Sequence, residues 1–109
     1  MHVITRRHLK EAGEQYPDAA KEIRAWFTIV KRAKWRSFVE VRQTFKDADN
    51  VDQYVVFNIR HNQYRLITSI HYCREREGRL TEGHVYIRSF LTHKQYDNRK
   101  NWDKGVKKK

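Results

Sequence analysis

The chain has 109 residues, 39% hydrophobic and 13% aromatic: enough for one domain with a modest core, and too apolar for a disordered tail. Its 24 Lys+Arg against 13 Asp+Glu give a formal charge of +11 and a pI near 10.0, so a polyanion is the expected partner, nucleic acid ahead of a membrane surface. No apolar run approaches the roughly 20 residues of a membrane span or the roughly 7–15 of a signal-peptide core, and Cys73 alone cannot build a disulfide framework; a reduced, cytoplasmic setting is expected.

"MHVIT" opens the chain as a short edge strand. Helix formers run from Arg6 to about Tyr16, with Gly13 a weak point that costs about 1 kcal/mol against Ala. Pro17 suits the first turn of a second helix. In that helix Ala19, Ile23, Trp26, Phe27 and Val30 form an apolar stripe. Lys31, Arg32, Lys34 and Arg36 make its far end strongly basic, in keeping with the helix dipole. Phe38, Val41 and Phe45 have helical spacing, although "SFVEVRQTF" also admits an alternating reading. "KDADNVDQ" reads as a polar, acidic turn.

After it the period changes to two. Tyr54 to Ile59, Tyr64 to Tyr72 and His84 to Thr92 read as strands, joined by a short "RHNQ" turn and a longer, mobile "CREREGRLTEG" loop. Helices followed by an antiparallel meander define an α+β layout in a single domain, residues 1–109, whose basic end from about 103 to 109 is expected to be flexible. Trp26 and Trp35 are assigned to the core and its edge, and Trp102 to packing the C-terminal segment back onto the body.

Strand parity sorts the meander into two faces. Val55, Phe57, Ile59, Leu66, Ile70, Val85, Ile87 and Leu91 are placed against the helices. The opposite face carries Asn58, Arg60, Arg65 and Arg88 with Tyr54, Tyr86, Val56, Ile67, Ser69 and Phe90. Arginines among aromatics are either an ordinary solvated face or a surface that grips phosphate and stacks bases.

"FLTHKQYD" (Phe90 to Asp97) supplies reactive groups at the end of the last strand. Metal-free cleavage of RNA needs a base for the 2′-hydroxyl proton, a cation for the phosphate and an acid for the leaving 5′-oxygen. His93 suits the first or third role, Lys94, Arg65 and Arg88 the second. Tyr96 exchanges protons near neutrality only if cations lower its pKa. Equally, such a cluster arises by chance in a chain with six His, six Tyr and 24 Lys+Arg. His71, Cys73 and His84 make a poor zinc signature, and half-buried strand residues are their expected role. The four glycines form no phosphate loop. Neither a metal nor a cofactor is expected.

The opening "MHVITRRHLKEAGEQYPDAAKEIRAW", the strand pair "YVVFNIRHNQYRLITSIHY" and the closing "VYIRSFLTHKQYD" resemble the HigB-type toxins of bacterial type II toxin–antitoxin systems, within the wider RelE/ParE-like group. The resemblance spans nearly the whole chain. It implies a RelE-like fold, with an N-terminal helical hairpin on a small antiparallel sheet and a short C-terminal helical segment. It implies an mRNA endoribonuclease acting on translated messages in the ribosomal A site, against ribosomal RNA. It further implies a HigA-like helix-turn-helix antitoxin that represses the operon, so that DNA is met only through the antitoxin complex; no membrane is involved. By position, Arg65 matches the family's strand arginine, His93, Lys94 and Tyr96 its C-terminal motif, and Asn58 its strand asparagine; the group's catalytic residues vary from member to member, and these first four are the catalytic candidates here. Arg60, His61 and Arg88 are the further RNA contacts expected; "RHN" at 60–62 stands where relatives often have glycines, so His61 is an extra contact or none. Two other functions stay open: a ParE-like toxin acting on a protein such as DNA gyrase, and a non-catalytic RNA-binding protein.

Overall fold

The computed structural model describes residues 1–106; Lys107, Lys108 and Lys109 lie outside the described residues, and with them the end of the expected flexible tail. Strand β1 (His2–Ile4) leads into helices α1 (Arg7–Gln15) and α2 (Ala20–Arg32), separated by a 3-10 turn, Pro17–Ala19, that starts on the proline. Proline lacks the N–H that a first turn leaves unused, which sets the helix start here. Ile23, Trp26 and Val30 form the buried stripe of α2, and its exposed basic end finishes at Arg32. Helix α3 (Phe38–Thr44) resolves the ambiguous segment as helix, with Val41 buried and the Trp35 indole donating to Thr44 Oγ1 at 3.1 Å.

The meander consists of β3 (Tyr54–Ile59), β4 (Tyr64–His71) and β7 (His84–Thr92), with bounds close to those expected. Around it, the acidic turn contains a short strand β2 (Asp49–Val51) that pairs antiparallel with β3. Asp and Asn are poor strand formers; pairing with β3 overrides their preference. The long loop closes into a small hairpin, β5 (Glu75–Arg76) and β6 (Arg79–Leu80), turned by Glu77 and Gly78 at positive φ. Helix α4 (His93–Tyr96) follows β7, then a 3-10 turn at Arg99–Asn101 and a last strand, β8 (Gly105–Val106). Sheet order is β1-β7-β4-β3-β2, with β8 also on β7; β1 and β8 run parallel to β7, so the sheet is mixed. Gly83 is required where β7 begins: a Cβ there would lie 2.5 Å from Met1 Cε and 2.8 Å from the His71 carbonyl.

Helices cover one face of the sheet. Phe57 is the hub of that core, with edge contacts to Trp26 at 5.3 Å and Phe45 at 5.1 Å and a stacked contact to Trp35 at 6.3 Å. The other face carries a second, smaller apolar cluster of Tyr54, Val56, Ile67, Leu91 and Trp102.

Two parity assignments are reversed. Phe90 packs on the helix side and Leu91 on the other. The cause is a bulge in β7: Ile87 pairs with Thr68 and Ser89 with Ile67, leaving Arg88 without an opposite residue. One inserted residue turns every later side chain to the other face.

Truncating Phe57 to Ala should cost about 3–5 kcal/mol, read as a lowered urea midpoint with an unchanged m-value.

Candidate active site

Thr92 ends β7 and starts α4 through a capping box: its Oγ1 accepts from the Gln95 amide at 3.2 Å, and Gln95 Oε1 accepts from the Thr92 amide at 3.0 Å. The Thr-x-x-Gln spacing is the sequence signature of this device. It fixes the backbone of His93 and Lys94, both exposed. The His93 amide donates to the Gln63 carbonyl at 2.9 Å, which docks α4 on the β3–β4 turn. That turn holds Arg60 and His61 at φ 52° and 60°, the left-handed region non-glycine residues rarely enter. Such strain recurs beside functional sites.

Arg65 lies across the ladder from both Asn58 and Leu91. Its guanidinium donates to the Asn62 carbonyl at 2.7 Å and sits 5.1 Å from the centre of the Tyr96 ring. Tyr96 in turn stacks on Trp102 at 4.7 Å, and the Trp102 indole donates to the Tyr96 carbonyl at 2.9 Å. Arg99 covers the Trp102 ring at 4.3 Å and pairs with Asp52 at 2.9 Å. The result is a layered guanidinium–phenol–indole–guanidinium stack at one end of the sheet, beside the turn that presents His93 and Lys94. Stacked cations and rings keep Arg65 oriented without an opposing carboxylate.

Burial, followed by the Asp49 carboxylate, pushes the Tyr96 phenol above its ordinary pKa, against the opposite pull of Arg65 and Arg99. The cations that would have to lower this pKa are present, yet desolvation outweighs them. At neutral pH Tyr96 is therefore a donor.

Arg65, Tyr96, His93 and Lys94 thus come together at one end of the sheet, with His61 exposed on the adjoining turn and Asn58 beside Arg65. The Asn58 amide donates to Asp47 at 3.1 Å. Two expected contacts lie elsewhere. Arg60 is past the end of β3, and its turned backbone sends it to the helix side, where it pairs with Asp18 at 3.4 Å. Arg88, thrown out by the bulge, donates to Ser69 Oγ at 3.1 Å and pairs with Asp103 at 3.6 Å, beyond the crossing C-terminal segment. Nor is the second face an open floor: Tyr54 is buried against Trp102, its hydroxyl donating to Asp103. Arg99 and Trp102 are the members of the site that strand parity overlooked; they lie outside any periodic segment, and only the "RKNW" run of cations next to a tryptophan marks them. Cys73 is buried with its Sγ 3.7 Å from Met1 Sδ, and His71 faces His84 across the ladder.

A small, strongly basic α+β domain with a cationic, aromatic site at the end of its central strands has the make-up of a RelE-like toxin. The family model described as HigB_toxin, RelE-like toxic component of a toxin-antitoxin system, matches residues 19–99. The chain belongs to that HigB toxin family, and membership implies an antitoxin as partner. It is similar to the mRNA interferase toxin HigB of Escherichia coli (strain K12), 29% identical over 100 residues that cover 89% of this chain and 88% of the relative. The mRNA interferase HigB of Shigella flexneri matches at the same identity and coverage. That of Escherichia coli O6:H1 is 22% identical over 100 residues, covering 89% of each chain.

The raised Tyr96 pKa carries a sign for stability. The folded chain holds the phenolic proton more tightly than the unfolded chain, so this contribution is intact below the unfolded pKa of about 10 and is lost as pH rises through the folded value. Tyr96→Phe should therefore lose stability less steeply than the parent in urea unfolding above about pH 10.

Proposed function

We propose that the chain is an mRNA endoribonuclease, the toxic half of a toxin–antitoxin pair, which cuts messages during translation in the ribosomal A site. The single observation that carries this reading is the Arg65–Tyr96–Trp102 stack beside the capped turn of His93 and Lys94. The naming of its relatives as mRNA interferases supports it.

In this reading His93 is the base. It takes the proton of the 2′-hydroxyl, whose oxygen attacks the phosphorus. The bond to the 5′-oxygen breaks, and that oxygen receives a proton from the Tyr96 phenol, which the site keeps protonated. Arg65 and Lys94 hold the charge that grows on the phosphate; Arg65 is suited to bidentate contact and is already oriented by its ring. Products are a 2′,3′-cyclic phosphate and a 5′-hydroxyl. Every step is supplied by side chains of this chain, so we propose that no metal takes part. The antitoxin is proposed to be a HigA-like helix-turn-helix protein.

His93→Ala should slow message cleavage by about 10²–10⁴-fold, the usual worth of a positioned general base, with thermal unfolding unaltered because the side chain is exposed. Primer-extension mapping of message ends after induction, with growth followed in parallel, tests both points. Full growth arrest with intact messages, or trapped gyrase–DNA breaks in their place, would overturn the reading. Cleavage by purified protein on translating ribosomes should also survive washing the toxin with a chelator strong enough to strip zinc, scored by the same cut sites.

A further inference from the structure

The end of the second face farthest from His93 is uncovered and carries an uncommon row. His2 on β1, His84 on β7 and His71 on β4 are opposite one another across three adjacent strands. Val3, Val85 and Ile70 point to the helices, so by parity all three imidazoles lie on the other face. The rings are in contact: His2 and His84 at 5.6 Å, His84 and Tyr86 at 6.2 Å, His71 and Tyr86 at 5.0 Å. Arg88, the bulged residue, stands 5.9 Å from the centre of the Tyr86 ring and closes the row toward the active site. Among the described residues, none of the three imidazoles is hydrogen-bonded to a side chain or paired with a carboxylate. The charged and titratable groups around them are Tyr86 and Arg88 on β7, Asp103 beyond Arg88, and Glu82 on the loop into β7.

We infer that this row is a second RNA-binding track, which grips the strand several nucleotides away from the cleaved bond. Four tilted rings on one face of three adjacent strands offer ring faces on which any base can stack. Histidine is the side chain that can switch to a cation, and a bound phosphate favours that form. Arg65 and His71 lie at opposite ends of β4, roughly 20 Å apart at about 3.3 Å per residue, so a strand held at both ends is extended between them. Arg88, at the midpoint, is the cation between the two ends. The inference rests on the reading of the chain as acting on RNA, but not on cleavage.

The test uses a short fluorescein-labelled oligonucleotide with every 2′-hydroxyl methylated, which cannot be cut. Its affinity for the full chain is measured by anisotropy at about pH 6 and about pH 8, either side of the ordinary histidine pKa. The parent should bind more tightly at the lower pH. His71→Ala/His84→Ala should lose that gain and bind at least about fivefold more weakly there, the low end of one lost stacking contact. In the parent, the ring proton signals of His71 and His84 should shift on adding the oligonucleotide, which needs no variant to fold. Sedimentation with empty ribosomes tells the source: weaker pelleting of the double variant assigns the row to ribosomal RNA, and equal pelleting with weaker oligonucleotide binding assigns it to the message. Unchanged affinity in both arms, or unshifted histidine signals, overturns the inference. A chain that binds the methylated probe yet leaves messages whole fails as a nuclease and keeps this track.

Discussion

Trp102 holds the site together. Its indole N–H donates to the Tyr96 carbonyl, its carbonyl accepts from buried Ser89, and its ring lies on Tyr96, against Tyr54 and under Arg99. One turn of helix such as α4 is too short to persist alone. Here the turn is tied at both ends, by Thr92 at the start and by the Trp102 indole at Tyr96. The orientation of Arg65 follows, because the ring above which it sits is itself fixed.

The bulge at Arg88 makes this arrangement possible. A regular β7 would aim Leu91 at the helices and Phe90 outward. The inserted residue exchanges them, so that Phe90 stacks with Tyr64 at 5.2 Å in the main core and Leu91 joins Trp102 below the sheet. Ser89 is brought round to receive the C-terminal segment, and Arg88 is left outside the ladder. One extra residue therefore provides both the seat for Trp102 and a cation, paired with Asp103, between the candidate site and the histidine row.

Burial decides how the site divides its chemistry. Tyr96 has two guanidinium groups for neighbours, and a phenol in water beside them would ionise more readily. Desolvation by Trp102 and the nearby Asp49 reverse the balance and keep the proton on. The phenol thereby keeps its proton, which fits the acid role proposed for it and leaves the proposed role of base to the exposed His93.

Much of this was legible from the chain alone. The helix formers of α1, the apolar spacing of α2, the proline between them and the period-two runs of β3, β4 and β7 follow from local geometry, which sequence patterns report directly. The clustering of His93, Lys94, Tyr96 and Arg65 came from adjacency in sequence and from resemblance to the family. What pattern could not decide was anything that depends on a partner distant in the chain. Strand β2 exists because β3 offers it a ladder, despite residues that disfavour strands. Parity beyond Arg88 depends on register against β4, and a single unpaired residue inverts it. Arg60 leaves the face it was expected to share with Arg65 because its turn adopts positive φ and Asp18 waits in the turn between α1 and α2. How tightly Tyr96 holds its proton depends on burial, to which Trp102 contributes by coming back across the sheet. Sequence by itself determined the elements and the stock of reactive groups, since these rest on local preference and composition; tertiary structure decided which face each group occupies and which proton it holds, since both depend on contacts closed across the whole fold.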